Sequence, residues 1–164
     1  MQIEVRGGDI LDFDVDGLVI PTNSLGTMVE GIAARARERL GAACEEAVTL
    51  HAPIAVGAAL VTGAGALRAR SLIHAPLVEV PGTRVSVESI RRATRASLLA
   101  ATAHALERIA IPGMGYGDLG VSEEEASRAI IDEVRAYKSA HPVAVILVDE
   151  DEVMCQAFSA QVPP

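Results

Sequence analysis

The chain has 164 residues, half of them hydrophobic, and a formal net charge of -8 at pH 7. This length fits one domain, so we expect residues 1–164 to form a single domain with its own hydrophobic core. The mean hydropathy is positive, at +0.32. The longest stretch without Asp, Glu, Lys, Arg or His, residues 52–67, is interrupted by proline and glycines. It is also shorter than the roughly 20 apolar residues of a membrane span, so no membrane partner is expected.

The charge balance argues against nucleic-acid binding. Acidic residues number 22 and basic residues 14, whereas phosphate neutralisation normally needs a basic face. The nearest basic cluster, Arg91, Arg92 and Arg95, is typical of a solvated helix face. With two Tyr, two Phe and no Trp, the chain also lacks a stacking platform for single strands.

The cysteines and the N-terminal residues bear on cofactors and location. Cys44 and Cys155 lie far apart; one disulfide is possible, but two ordinary buried thiols are favoured. The chain has no CxxC or HExxH spacing, so neither a metal nor another cofactor is expected. The first residues read as a strand rather than as the apolar part of a signal peptide, which favours a cytoplasmic location.

The hydrophobic pattern predicts short strands that alternate with longer helices. The predicted strands cover residues 3–5, 17–21, 58–62, 71–76, 108–112 and 143–148. The predicted helices cover residues 29–50 with a break at Gly41, 86–106, 122–138 and 149–161. Ser86 is a natural N-cap, and Ser122 with Glu125 forms a capping-box pattern. This alternation indicates a layered α/β domain with a largely parallel sheet.

Two loops at strand ends are candidates for ligand binding, because α/β sheets bind ligands outside the carboxyl ends of their strands. One loop covers residues 20–31. The other, residues 111–122, contains four glycines: Gly113, Gly115, Gly117 and Gly120. Such glycine density exposes backbone N–H groups and suits wrapping a phosphate. The spacing matches neither a Walker loop nor the dinucleotide fingerprint, and an ordinary tight turn is the alternative.

Four motifs occur in a fixed order along the chain. They are GGDIL at 7–11, DGLVIPTNS at 16–24, GAALVTGAGALRARSLIHA at 57–75 and IPGMGYGDLGVSEEEA at 111–126. Together they resemble the macrodomain (Macro/Appr-1''-p processing) family, and the likeness covers about residues 3–158. The resemblance implies a three-layer α/β/α sandwich around a mixed, mostly parallel sheet. It also implies binding of ADP-ribose or a related nucleotide metabolite, free or attached to a macromolecule.

The resemblance also implies roles for individual residues. Asp9 matches the aspartate that accepts a hydrogen bond from the adenine amino group, and Asn23 the asparagine that contacts the distal ribose. The bland alternatives are a turn or helix cap for Asp9 and a local Asn turn for Asn23. The full implied binding set is Asp9, Ile10, Asn23, Gly26, Val29, Gly31, Gly115, Tyr116, Gly117, Asp118, Leu119 and Gly120.

The chain departs from the family pattern in the first loop. Thr27 and Met28 stand where the family usually has glycines, and their side chains are expected to hold the backbone away from a phosphate. Ile20 replaces an asparagine that helps to organise the site in many hydrolytic members.

Further departures affect the second loop and the adenine end. Asp118 replaces a neutral aliphatic residue inside the diphosphate loop, and its charge is expected to oppose a pyrophosphate. Leu119 aligns with the aromatic residue that usually packs by the distal ribose. Phe158 is the only aromatic residue expected near an adenine-stacking position.

Two further residues bear on whether the chain could be an enzyme. Glu30 falls near the acidic residue of hydrolytic macrodomains, where a buried carboxylate could act as a general base. The favoured alternative is a glutamate at a helix start. We expect His74 to be a core histidine with its hydrogen bonds satisfied.

Three functions therefore remain open. The first is a binding module for ADP-ribose. The second is a hydrolase of ADP-ribosyl adducts, or a deacetylase of O-acetyl-ADP-ribose. The third is a diverged domain that recognises another ligand or a protein.

Overall fold

A six-stranded sheet forms the centre of the computed structural model, which describes residues 1–164. The strands are β1 Gln2–Gly7, β2 Gly17–Asn23, β3 Leu60–Gly63, β4 Ser71–Val78, β5 Arg108–Pro112 and β6 Ala144–Asp149. Their spatial order is β1-β6-β5-β2-β4-β3. All neighbours are parallel except β3, which pairs antiparallel with β4 at one edge. The predicted mixed, mostly parallel sheet is confirmed.

Five helices cover the two faces of this sheet. They are α1 Gly31–Leu40, α2 Ala42–Thr49, α3 Val87–Ala103, α4 Glu123–Ala136 and α5 Glu152–Gln161. Helices α1 and α2 lie on one face, while α3, α4 and α5 pack on the other. The predicted three-layer α/β/α sandwich is therefore confirmed. None of these helices combines the length and apolar character needed to cross a membrane.

The central strand β2 shows why strands of this sheet appear in the sequence as continuous apolar runs. Leu18 and Ile20 face the core beneath α1, and Val19 faces the core beneath α3 and α4. All three are fully buried, because parallel strands in this architecture are covered on both faces.

The element boundaries follow the predictions with small differences. The predicted break at Gly41 is real, because this residue has a positive φ of 85° and separates α1 from α2. The first of these helices begins at Gly31 rather than at residue 29. The capping box of Ser122 and Glu125 is confirmed. A short 3-10 turn, Ile10–Asp12, has Asp9 as its N-cap, which is the alternative that the sequence left open for this residue.

Two predictions about individual side chains meet different outcomes. Phe158 was expected near the ligand, and this is wrong: its side chain is fully buried in the core between α5 and the sheet. A buried phenyl ring gains more from packing than from a wet cleft. Cys44 and Cys155 are both free thiols on opposite layers of the sandwich, as favoured from the sequence, but the expected burial is wrong because each is only partly buried.

Candidate functional site

A cavity of about 520 Å³ opens at the carboxyl ends of the parallel strands. This volume lies within the usual range for small-molecule sites. Its walls come from the segments after β1, β6, β5, β2 and β4, which are successive neighbours in the sheet. Four strand spacings correspond to about 19 Å, so the cavity suits an elongated ligand lying across the strand ends.

The glycine-rich loop after β5 presents unused backbone donors. The turn is closed by three internal hydrogen bonds, from Gly120 N–H to the Gly117 carbonyl at 3.0 Å, from Val121 N–H to the Gly115 carbonyl at 2.9 Å and from Gly117 N–H to the Val121 carbonyl at 3.2 Å. Five amides of this loop donate no hydrogen bond within the protein: those of Met114, Gly115, Tyr116, Asp118 and Leu119. Positive φ angles of 77° at Gly115 and 108° at Gly117 allow the loop to curl in this way.

The N-terminus of α1 faces the same cavity. Gly31, Ile32 and Ala33 line the wall, and their N–H groups have no acceptor because they belong to the first turn of the helix. The N-cap residue, Glu30, makes no side-chain capping hydrogen bond. The positive end of the helix dipole and its free donors therefore point into the cavity, an arrangement that attracts anions.

These two groups of donors, from the glycine-rich loop and from the start of α1, form what we call the amide cradle. Arg35 is the only basic side chain that lines the cavity. A ligand anion would therefore be bound mainly by backbone dipoles rather than by side-chain cations.

The first loop is braced internally by Asn23, whose side chain is almost fully buried. Its Nδ2 donates to the carbonyl and to Oγ1 of Thr27, both at 3.0 Å, and its Oδ1 accepts the N–H of Leu25 at 3.0 Å. This is the local Asn turn that the sequence left as an alternative. Asn23 still lines the cavity, and its contact with the distal ribose stays a prediction.

Met28, which stands where the family usually has a glycine, does not line the cavity. Its side chain is buried in the core beneath α1, and its N–H donates to Oε2 of Glu45 at 2.7 Å. Arg37 pairs with the other oxygen of Glu45 at 3.1 Å. The Met28 N–H and the Arg37 guanidinium lower the pKa of Glu45. A carboxylate of α2 thus takes an amide that a glycine loop would leave for a ligand.

The far end of the cavity is rich in carboxylates. Arg35 of α1 places Nη1 3.1 Å from Oε2 of Glu150 and 3.5 Å from Oδ2 of Asp9. The other oxygen of Asp9 accepts the N–H of Leu11 at 3.0 Å. Asp9 is therefore both a turn cap and an ion-pair partner. Its contact with adenine stays a prediction.

Tyr116 and Asp149 join the glycine-rich loop to the end of β6. The Tyr116 hydroxyl lies 3.0 Å from each carboxylate oxygen of Asp149, and the N–H of Asp151 donates to Asp149 Oδ1 at 2.8 Å. Burial raises the pKa of Asp149. Burial and the neighbouring negative charge of Asp149 hold the pKa of Tyr116 well above its usual value. This contact fixes the middle of the loop.

Glu30 and His74 differ in their relation to the cavity. Glu30 lines it, but its side chain is exposed and has no hydrogen-bond or ion-pair partner. His74 is fully buried on β4, away from the cavity, and its Nε2 lies 2.7 Å from Oγ1 of Thr62. The prediction of a core histidine is confirmed, but the expectation that its hydrogen bonds are satisfied is wrong, because Nδ1 has no partner. Burial lowers the pKa of His74 to about 4.

The structure brings most of the predicted residues to one cavity. Those that line it are Ile10, Asn23, Glu30, Gly31, Gly115, Tyr116, Leu119 and Gly120. Those that lie next to the wall without lining it are Asp9, Gly26, Val29, Gly117 and Asp118. Sequence reasoning missed Arg35, Asp149, Glu150 and Asp151. No local motif marks these four residues. Only their positions, at or just after the end of β6 or on α1, could have suggested them.

Comparisons with known proteins identify relatives in sequence and in fold. An uncharacterised protein of Aquifex aeolicus is 42% identical over 158 residues, which are 96% of this chain and 96% of the relative. The fold is similar to that of the Trypanosoma brucei macrodomain in complex with ADP-ribose, with a TM-score of 0.86, 19% identity and coverage of 98% of this chain and 69% of that one.

A second solved structure, the Oceanobacillus iheyensis macrodomain with MES bound, has a TM-score of 0.84 and 18% identity, over 98% of this chain and 89% of that one. The family model described as Macro domain matches residues 19–130. That match covers more than half of the sequence and includes the glycine-rich loop and the start of α1, so the chain belongs to the Macro domain family.

Proposed function

We propose that the cavity binds ADP-ribose or a closely related nucleotide metabolite. The observation that carries this proposal is the amide cradle, in which two sets of unpaired N–H groups from separate elements face one cavity. A diphosphate is an anion of the kind that such groups bind. Membership of a family that binds ADP-ribose and the Trypanosoma brucei complex support the same ligand.

The order of the walls suggests the direction in which the ligand lies. The carboxylate end near Asp9 and Glu150 offers acceptors for the amino group of adenine and for ribose hydroxyls. The amide cradle in the middle would take the diphosphate. Beyond it, Asn23 and the apolar residues Leu77 and Val85 would surround the distal ribose. The ligand would be a free small molecule or an ADP-ribosyl group carried by a macromolecule.

Titration calorimetry of the purified protein with ADP-ribose tests this proposal. We expect saturable binding of ADP-ribose with one site per chain, and no comparable binding of adenosine at the same concentration. Absence of binding heat at millimolar ADP-ribose would overturn the proposal and favour a diverged domain with another ligand.

A second candidate function is hydrolysis of ADP-ribosyl adducts or of O-acetyl-ADP-ribose. The observation that favours it is the carboxylate of Glu30, which lines the cavity at the start of α1 and is free of protein partners. Turnover of an ADP-ribosylated protein substrate by the wild type, and its loss in Glu30→Gln with ADP-ribose binding retained, would support this activity. Equal turnover by both proteins would exclude Glu30 as the base.

A further inference from the structure

We propose that Asp149 selects ligands by charge, so that the cavity favours a diphosphate esterified at both ends over one that ends in a free phosphate. This inference rests on the proposed function, since it concerns which diphosphate the amide cradle accepts. It makes Asp149 a specificity-determining residue on the floor of the glycine-rich loop.

The first step is the position of the Asp149 carboxylate. It lines the cavity and accepts the Tyr116 hydroxyl at 3.0 Å, in the middle of the loop that supplies half of the cradle. Gly113, at the start of this loop, lies so close that a Cβ atom there would overlap Asp149 Oδ2. A ligand phosphate bound by the loop amides would therefore lie in the same cavity as this carboxylate.

The second step is that Asp149 has no counter-ion. Its hydrogen bonds come from neutral donors, the Tyr116 hydroxyl and the Asp151 N–H. It takes part in no ion pair, and Arg35, the only basic residue of the cavity wall, is paired with Asp9 and Glu150. Among the carboxylates that line the cavity, Asp149 alone is partly buried rather than exposed.

The other groups around Asp149 do not compensate its charge. Tyr116 of the glycine-rich loop, Asp151 of its own turn and Cys155 of α5 interact with Asp149 itself. Glu123 of α4 and Glu152 of α5 act on Tyr116 and Cys155 in turn. Glu30, Arg35 and Glu150 line the same cavity. All but Arg35 are neutral or acidic. The negative charge of Asp149 is thus felt by any anion in the cradle, in a half-buried place where screening by water is reduced.

The third step concerns the ligand. Each phosphate of a diphosphate esterified at both ends carries one negative charge. A terminal phosphate gains a second charge near pH 6, as phosphate monoesters do. ADP therefore brings more negative charge to the cradle than ADP-ribose at neutral pH, and Asp149 penalises that extra charge.

The same geometry couples binding to protons. A ligand anion next to Asp149 favours the protonated form of its carboxyl group, so binding takes up a proton from the solvent. Affinity for ADP-ribose is expected to rise as the pH falls through the pKa of Asp149, which burial already raises. The diphosphate of ADP-ribose keeps its charge across this range, so the ligand does not contribute to the effect.

Calorimetry with ADP-ribose and ADP on wild type and Asp149→Asn tests the inference. Asn keeps an acceptor for Tyr116 but removes the charge. We expect Asp149→Asn to lower the ratio of the ADP to the ADP-ribose dissociation constant by roughly threefold or more at pH 7.5. We also expect wild type, but not the variant, to bind ADP-ribose more tightly at pH 5.5 than at pH 7.5.

Asp132→Asn is the matched control, because it removes one negative charge from the exposed face of α4, outside the cavity. It should leave both the ratio and the pH profile unchanged. If Asp149→Asn does not fold, proton uptake by the wild type, measured in buffers of different ionisation enthalpy, decides the point.

Two results would overturn this inference alone, provided that ADP-ribose binding is normal. One is an Asp149→Asn variant with the same ratio of dissociation constants and the same pH profile as the wild type. The other is the absence of proton uptake when the wild type binds ADP-ribose. If wild type binds neither nucleotide, the proposed function fails and the inference fails with it.

Discussion

The loop that leads into α1 is fixed by side chains where a run of glycines would leave the backbone free. Asn23 holds Thr27 from one side, and Glu45 holds the N–H of Met28 from the other. Gly26, with a φ of 74°, packs directly against Val48 of α2. A loop that is ordered before the ligand arrives loses less entropy on binding. The replacement of glycines therefore does not by itself argue against a functional site.

His74 predicts how the stability of the fold depends on pH. Its pKa is lowered to about 4 in the folded state, against about 6.5 in an unfolded chain. Between these values the unfolded state binds the proton and the folded state does not, so stability is lost as the pH falls below 6.5. Wild type should lose about 2 kcal/mol more than His74→Gln between pH 7 and pH 5 in urea unfolding.

His74→Gln is a suitable reference because glutamine can keep a hydrogen bond to Thr62, and the exposed histidines are the same in both proteins. Parallel stability profiles of wild type and variant over this pH range would show that His74 is not held neutral by burial.

The glycine-rich loop predicts a sharp effect of one methyl group. A Cβ atom on Gly120 would overlap the carbonyl of Gly115, a backbone group that cannot swing away. We expect Gly120→Ala to cost about 1–3 kcal/mol of folding free energy and to weaken ADP-ribose binding roughly tenfold or more, equivalent to about 1.4 kcal/mol. Thermal unfolding and calorimetry measure the two effects.

Gly63→Ala in the edge strand β3 is the control, because a Cβ atom there meets nothing within 4 Å and the position does not need a positive φ. This variant should fold and bind like the wild type. Normal ADP-ribose affinity in Gly120→Ala would mean that the shape of this loop does not determine binding.

At the scale of elements, the fold could be predicted further than the site. Apolar runs such as residues 108–112 and the capping box at Ser122 are local signals, and the structure has a strand and a helix at these places. The glycine-rich loop and the loop that leads into α1 could also be located, because each follows a predicted strand. Phe158 was misplaced because an aromatic residue gives no sign of which face of its helix it occupies.

The partners within the site could not be predicted, because each contact joins distant parts of the chain. Tyr116 and Asp149 are 33 residues apart, Met28 and Glu45 are 17 apart, and Arg35 and Glu150 are 115 apart. The order of strands in the sheet brings Tyr116 to Asp149 and Arg35 to Glu150, and the packing of α2 beside the loop before α1 brings Glu45 to Met28. No local pattern in the sequence encodes either arrangement.

The whole molecule carries a net charge of -8, yet its proposed ligand is an anion. Backbone dipoles at short range would bind the diphosphate, while the overall charge opposes its approach at long range. Salt screens the long-range part more than the short-range part. We expect the dissociation constant for ADP-ribose to change less than about threefold between 0.05 and 0.5 M NaCl.

Calorimetry at several salt concentrations measures this dependence, and sodium glutamate in place of NaCl separates screening from competition by chloride. A tenfold loss of affinity at high salt in both series would show that side-chain cations, such as Arg35, bind the ligand instead of the amide cradle.

The pairing of β1 with β6 has a consequence for biosynthesis. The first strand of the chain has no partner in the sheet except the last one, Ala144–Asp149. While the nascent polypeptide leaves the ribosome, β1 must wait until residues 144–149 have emerged before its hydrogen bonds can close. Expression as two separate fragments should therefore yield no stable N-terminal half, since its leading strand would have an open edge until the complementary piece is supplied.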